Sequence, residues 1–269
     1  MLCKNIISLY QDKGIPLADI KTVFDGYFHV SFDEAFFSDK DIPDSFVLET
    51  LDKLLSGYPA NYLAGYIDVQ GLHLFLNEDT LIPRNETIAF VFDFIKNQYP
   101  LHQKKVLDLC TGSGLIALGV KKLFPDAMVY GSDISLSALE MAKKSAKYNH
   151  LDVTFLQSDY LNDIQDTFDV ILSNPPYIPV NAEGVNAPFE PDIALYSGED
   201  GLDSYRSIFA KLDSHLNKDG FAMFEMDARN CYDVTYSKEG LVSQYKNVFS
   251  GEAFKDIYGR YRYLKLSKR

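Results

Sequence analysis

KVLDLCTGSGLIALGVKKLFPDAMVYGSD, residues 105–133, decides the fold. KVLDLC (105–110) is a short apolar run of the kind a buried strand needs, and it stops at a glycine turn. GLIALGVKKLF (114–124) then reads as a helix and AMVYGSD (127–133) as a second strand. Alternation of this kind specifies a mostly parallel sheet with helices packed on both faces.

The same alternation continues outward. A helix begins at Ser135, VTFLQSD (153–159) and FDVILSN (168–174) are further strands, and Tyr205, Ile208, Phe209, Leu212 and Leu216 mark another helix. GFAMFEM (220–226) supplies a strand, and YRYLKLS (261–267) a last one, expected antiparallel at the sheet edge. On the N-terminal side, Ile88, Val91, Phe92 and Ile95 make an amphipathic helix. VQGLHLFLNEDTLIP (69–83) alternates at Leu72, Leu74 and Leu76, with Asn77, Glu78 and Asp79 as turn material, which predicts a β-hairpin. Before it the chain is helical. Ile20, Val23, Phe24, Tyr27 and Phe28 form one stripe. Val47, Leu48, Leu51, Leu54 and Leu55 form another, with Asp44 as its expected N-cap. Three parts are expected: a helical domain over 1–68, a hairpin linker over 69–84 and an α/β domain over 85–269.

Composition narrows the functions. Lys+Arg 26 against Asp+Glu 38 gives a net charge of −12, the wrong sign for a protein whose affinity comes from neutralising phosphates. Cys3, Cys110 and Cys231 are odd in number and far apart, which is neither a disulfide framework nor a zinc spacing, and no metal site is read. No signal peptide and no run of about 18 apolar residues is present, so a cytoplasmic protein is expected.

In an open α/β sheet, ligands sit beyond the carboxyl ends of the strands, and the conspicuous residues fall there. DLCTGSG (108–114) lets the backbone turn sharply and approach a ligand closely, with helix N–H groups beyond it. It is not the dinucleotide fingerprint, because Ala117 holds the last glycine place, and alone it is also ordinary strand–helix geometry. Asp133 ends the next strand; alone it reads as a helix cap, but with the glycine turn it reads as an acceptor for ribose hydroxyls. Asp159 could accept from an adenine amino group and Tyr160 could pack on the ring; a capping acid and a half-buried phenol are the plainer alternatives. With no P-loop lysine, the pattern suits a nucleoside lacking a pyrophosphate.

The fourth strand end is Asn174-Pro175-Pro176-Tyr177. Pro175 and Pro176 fix two successive φ angles and carry no N–H, and Asn174 before them is biased to extended backbone. The result is a stiff bracket of acceptors, the Asn174 side-chain oxygen and the Pro175 carbonyl, with Tyr177 to lie against a flat group. An NH₂ on a conjugated carbon fits it. Gripping both hydrogens aims a delocalised lone pair at an electrophile and eases positive charge on nitrogen. The sulfonium methyl of S-adenosylmethionine fits as that electrophile, leaving S-adenosylhomocysteine.

These residues resemble the Rossmann-like S-adenosylmethionine-dependent methyltransferases that act on exocyclic nitrogens, and more narrowly the release-factor glutamine N5-methyltransferases. YPANYLAGYIDVQGLHLFLNEDTLIPRNET (58–87), DLCTGSG, Asp133, QSDY, SNPPYIP, FEPDIALYSGEDGLDSYRSIF (189–209) and KDIYGRYRYLKL (255–266) follow the family's order. The resemblance implies a seven-stranded catalytic domain and an N-terminal helical domain that grips a protein substrate. It also implies that the accepting nitrogen is the side-chain amide of the Gly-Gly-Gln glutamine of class 1 peptide-chain release factors, with a monomeric enzyme and no direct nucleic-acid or membrane partner. By position, Asp108, Cys110, Thr111, Gly112, Ser113, Gly114, Asp133, Asp159, Tyr160 and Asn174 would hold the cofactor. Asn174, Pro175, Pro176 and Tyr177 would hold the glutamine amide. The chain departs from the family pattern at Asn85 and Ile88, where proline and a second acid are usual, at Met226, and at Cys110, where glycine is frequent. The rival readings are an N6-adenine or N4-cytosine methyltransferase, which grips its NH₂ after base flipping, and a binding protein without turnover.

Overall fold

The stripes near the N-terminus fold as helices whose apolar faces meet. The computed structural model describes residues 1–184 and 187–269, and its contacts divide the chain into two units. The first is Met1–Ile67 with Phe75–Glu78; the second is Asp68–Leu74 with Asp79–Arg269.

In the first unit, helices span Cys3–Asp12, Leu17–Thr22 (continued as a π turn through Val23–Tyr27), Asp44–Leu55 and Ala60–Ala64. Ile6, Ile7, Tyr10, Ile20, Phe24, Val47 and Leu51 form its core. Each such side chain taken from water contributes about 1.5–3 kcal/mol. Buried Tyr10 donates its hydroxyl to the Val47 carbonyl at 2.9 Å. Two details differ from the sequence reading. Leu48 and Leu55 are exposed, and Thr50 completes the buried stripe with Val47, Leu51 and Leu54. Asp44 is the first helical residue rather than the cap, a place that Pro43 occupies.

The hairpin strands are β1 (Tyr66–Val69) and β2 (Leu72–Phe75). The turn is at Gln70 and Gly71, both at positive φ, not at Asn77–Asp79. Two successive positive-φ residues match the twist of a two-residue hairpin.

The second unit is built on a seven-stranded sheet. Its strands are β3 (Lys105–Leu109), β4 (Met128–Asp133), β5 (Thr154–Gln157), β6 (Phe168–Ser173), β7 (Leu216–Glu225), β8 (Phe249–Lys255) and β9 (Tyr261–Lys268). The order is β5-β4-β3-β6-β7-β9-β8. All neighbours from β5 through β7 pair in parallel, and β9 is antiparallel to both β7 and β8. β9 is therefore antiparallel as expected, but it is not the edge. β8, whose Phe-Ser-Gly-Glu start gives little strand signal, covers it.

The chain runs outward from β3 in one direction to β5 and, after returning, in the other direction to β7. The switch point lies between β3 and β6, where Leu109 sits opposite Ser173, and Leu109 also faces Ser132 of β4. Parallel pairing brings the carboxyl ends of β3, β4, β5 and β6 to one rim, so the four motifs far apart in sequence share it. Leu107, Phe168, Ile171, Phe209, Leu212, Phe224 and Leu264 lie in the core against one sheet face. Among the described residues, no helix is long and apolar enough to cross a membrane.

Candidate active site

The glycine turn is held open by an acid beneath it. Asp108, at the end of β3 and 1% exposed, accepts from the Thr111 hydroxyl at 2.5 Å and from the Ala117 N–H at 2.9 Å, both on Oδ2. Burial pushes its carboxyl up to about 7. Asp108 braces the turn from below and does not line the cavity above it. Gly112 and Gly114 lie at φ of +54° and +92°, where a side chain would be strained. A Cβ on Gly112 would point into open space, so the turn's upper face is free for a ligand. Cys110 is also left-handed, at φ of +63°, which explains why glycine is usual there; a non-glycine residue in this region costs about 1 kcal/mol. Its thiol is pushed well up by burial.

Asp133 is bound to this turn directly. Its Oδ2 accepts from Gly112 N–H at 2.9 Å and its Oδ1 from Ser135 N–H at 3.0 Å. Each oxygen retains a further lone pair for a ligand hydroxyl. Burial raises the carboxyl, and these N–H groups oppose the rise. Capping of the helix Leu136–Tyr148 falls to Ser135, whose hydroxyl accepts from Ala138 N–H. Tyr160, at φ of +48°, commits its hydroxyl to Ser204 Oγ at 2.8 Å and stands on the cavity wall. Asp159 is exposed at the rim and accepts from Asn162 Nδ2.

One cavity joins these elements. Its wall includes Cys110, Thr111, Gly112, Ser113, Asp133, Asp159, Tyr160, Asn174 and Pro176. Asp108, Gly114, Pro175 and Tyr177 are not part of that wall. Gly114 instead starts the helix Leu115–Leu123, with Leu118 and Ala142 close to where its Cβ would be. Tyr177 donates its hydroxyl to Glu225 Oε1 at 3.3 Å, and its phenol is raised by burial. It therefore stands behind the bracket.

Asn174 is the most informative residue of the wall. Its Nδ2 donates to Thr87 Oγ1 at 3.1 Å, while its Oδ1 is buried without a partner. Among the described residues, the other such oxygens are Asp108 Oδ1 and Ser132 Oγ, neither of which lies on the cavity wall. An unsatisfied buried acceptor costs about 1–3 kcal/mol, which a donor entering the cavity would relieve.

Sequence reading assigned no role to the residues bonded around Asn174, of which Thr87 and Arg84 themselves belong to the cavity wall. Thr87 lies in the first turn of the helix over residues 85–98, 4% exposed, and donates to Glu225 Oε2 at 2.8 Å. Glu225 ends β7, one step beyond Phe224, which faces Ser173 of β6; parallel pairing thus sets it beside Asn174. It is fully buried, and burial pushes it up to about 7 against the bonds from Thr87 and Tyr177 and the charge of Arg262. Arg84 pairs with Glu190, whose other oxygen accepts from Ile82 N–H at 3.0 Å. Glu86 meets Arg260 at 3.2 Å. LIPRNET thus ties together the 189–209 stretch, the NPPY bracket and the C-terminal strands. An acid at a strand end was the only local signal for Glu225.

The stretch from Tyr177 to Gly201 is folded back, apart from 185 and 186, which lie outside the described residues. Ile178 pairs with Tyr196, and Val180 N–H donates to the Gly198 carbonyl at 2.9 Å. At Gly201 a Cβ would come within 2.4 Å of the Tyr177 carbonyl oxygen, so the loop closes only on glycine. Ile193 and Ala194 from its short helix complete the cavity wall.

The chain is similar to known proteins in sequence and in fold. Residues 88–187 match the methyltransferase small domain family. A release factor glutamine methyltransferase of Deinococcus radiodurans is 34% identical over 68% of this chain, and the match spans about two thirds of that relative, 66%. One from Flavobacterium psychrophilum is 36% identical over 78% of this chain and 76% of its own length. A T. Thermophilus 16S rRNA methyltransferase, solved in complex with AdoMet and guanosine, superposes with a TM-score of 0.53 at 18% identity. It covers 76% of this chain and 50% of the other, a likeness of fold alone. With relatives of this identity and coverage, the chain belongs to the release factor glutamine methyltransferase family.

Proposed function

We propose that the chain transfers a methyl group from S-adenosylmethionine to the side-chain amide nitrogen of the glutamine in the Gly-Gly-Gln motif of class 1 release factors. The observation that carries this reading is Asn174, a residue of the cavity wall whose Oδ1 is a buried acceptor without a partner, in a cavity that is also lined by a glycine turn and an acid. S-adenosylmethionine, when bound, supplies a methyl group on a positively charged sulfur. The residues fit such a group. The open face above Gly112 accommodates close backbone approach, Asp133 has lone pairs for two hydroxyls, and the Tyr160 ring offers a flat apolar surface. Asp133, raised by burial, is opposed in that rise by backbone N–H groups.

The acceptor side has a different task. A primary amide nitrogen is a poor nucleophile because its lone pair is delocalised into the carbonyl. Asn174 Oδ1 accepts one of its hydrogens and orients the lone pair toward the electrophile; Pro175, which lies off the cavity wall, contributes through its fixed backbone and not as the second acceptor that its sequence suggests. Pro175 and Pro176 stiffen the bracket, so little reorganisation is needed as charge develops on nitrogen. No strong base is required, because the nitrogen becomes acidic once alkylated and loses its proton afterwards. The helical first unit is the expected grip on the release factor.

Incubation of the protein and S-adenosylmethionine with a class 1 release factor, a Gly-Gly-Gln peptide and duplex DNA tests the reading. One added methyl on the glutamine, seen by fragment mass spectrometry, is the expected result. Methyl gain on DNA alone would replace it with the nucleic-acid reading.

A further inference from the structure

We infer that Thr87 and Glu225 are positioning residues that fix which end of the Asn174 carboxamide faces the substrate. The inference rests on the amide-methylating reading above. Glu225 as a carboxylate can only accept, and Thr87 has one hydroxyl proton, which it gives to Glu225 Oε2 at 2.8 Å. Thr87 Oγ1 is then left with lone pairs alone. The group that meets it from Asn174 must be a donor, and Nδ2 does so at 3.1 Å. A carboxamide has one donor end and one acceptor end. With the donor end spent on Thr87, the acceptor Oδ1 is the end left for a substrate: it is buried without a partner, on a residue of the cavity wall. The opposite flip would offer an NH₂ to the substrate NH₂, and the bracket could not hold it.

The carboxylate owes its polarity to its surroundings. Thr87 and Glu86 approach it from the helix over 85–98, Tyr177 from the bracket, and Arg262 and Tyr263 from β9. Tyr205, from the helix Asp203–His215, binds the Glu225 backbone carbonyl at 2.6 Å. Arg262 gives its Nε to Asp256 at 3.0 Å and its Nη1 to the Met226 carbonyl at 3.3 Å. The direct partners of the Glu225 carboxylate are therefore two hydroxyls, Thr87 and Tyr177. A proton on Oε2 would make Glu225 a donor to Thr87, free the Thr87 proton to point at Asn174, and favour the flipped carboxamide.

The chain of bonds predicts a pH response. The competent orientation needs the ionised acid, so kcat rises with pH through an acid limb near the Glu225 value of about 7. In Glu225→Gln that limb disappears. Thr87→Val keeps the shape of the side chain without its hydroxyl, and kcat should fall about 100-fold, the scale of a misplaced reacting group. KM and cofactor affinity should stay near the wild-type values. Thr87→Ser should restore most of the turnover that Thr87→Val loses.

A second readout needs no turnover. The Asn174 side-chain ¹⁵N–H₂ resonances, followed in the substrate-free protein, should shift with pH with a midpoint near 7 and be flat in Glu225→Gln. Equal turnover of Thr87→Val and Thr87→Ser, or an acid limb and a carboxamide shift that survive in Glu225→Gln, would overturn the inference. If the resonances respond as expected while wild-type protein leaves glutamine unmodified, the relay stands and the amide-methylating reading fails.

Discussion

The two sides of the cavity are built by different means. On the glycine-turn side, contacts are local in sequence or made by backbone: Asp108 with Thr111 and Ala117, Asp133 with Gly112 and Ser135. On the bracket side, they are side-chain bonds between distant segments: Asn174 with Thr87, and Thr87 with Glu225 across 138 positions. On the proposed reading, the cofactor meets a turn whose shape is fixed by these local and backbone bonds. On the same reading, the substrate amide meets a side-chain relay assembled from distant segments. Substitutions should therefore separate into those that change affinity on one side and those that change turnover on the other.

The largest separation is expected at Asn174. Asn174→Ala removes the acceptor of the bracket, and turnover should fall about 10²–10³-fold, as when one preorganised polar group is lost from a reacting centre. Calorimetry should find cofactor affinity largely unchanged. An equal loss of affinity would merge the two sides. Asp133→Ala is the converse. Losing hydrogen bonds to a charged group of about 1.5–3 kcal/mol should weaken cofactor binding roughly 10- to 100-fold. Unchanged affinity would move the ribose contact away from Asp133.

Smaller effects test the buried acids under each side. Asp108 and Glu225 rise from ordinary values of 3.8 and 4.5 to about 7. The folded state therefore holds more protons than the unfolded chain between about 4.5 and 7, and stability should fall as pH rises through that window. Melting temperature against pH should slope less in Glu225→Gln than in wild type, while turnover runs the opposite way and rises. A wild-type curve that climbs through the window would contradict the burial of these groups. The smallest effect is at Asn85, the first residue of its helix, preceded by extended Arg84 at φ −92° and ψ 149°. Both conformations suit proline at that place, so Asn85→Pro should stabilise by about 0.4–1 kcal/mol, read by denaturant midpoint. A loss would mean that the departure from the family pattern has its own structural reason.

How much was legible follows the same division. β3, the glycine turn and the helix Leu115–Leu123 are contiguous in sequence and were read directly, as was the fall of Asp133 and Asn174 at strand ends. The hairpin turn was missed because Asn77–Asp79 is stronger turn chemistry than Gln70–Gly71, yet backbone at positive φ settled at the latter. β8 was missed because Ser250, Gly251 and Glu252 break its apolar pattern; pairing along the full length of β9 compensates. The Thr87–Glu225 contact was illegible for a deeper reason. Neither residue carries a local pattern, and only the register of β6 with β7 brings Glu225 beside Asn174. The sequence also could not say that Asp108 braces the turn from beneath, since its chemistry alone suits a ligand contact equally well.

The central claim is that Asn174 Oδ1 is the acceptor for the substrate amide. A crystal structure with S-adenosylhomocysteine and a Gly-Gly-Gln peptide measures it most directly. The account predicts the glutamine side-chain nitrogen at a hydrogen-bond distance of about 2.7–3.2 Å from Asn174 Oδ1, with Asn174 Nδ2 still on Thr87. A glutamine amide seated elsewhere in the cavity, with Asn174 Oδ1 turned onto another protein group, would contradict it.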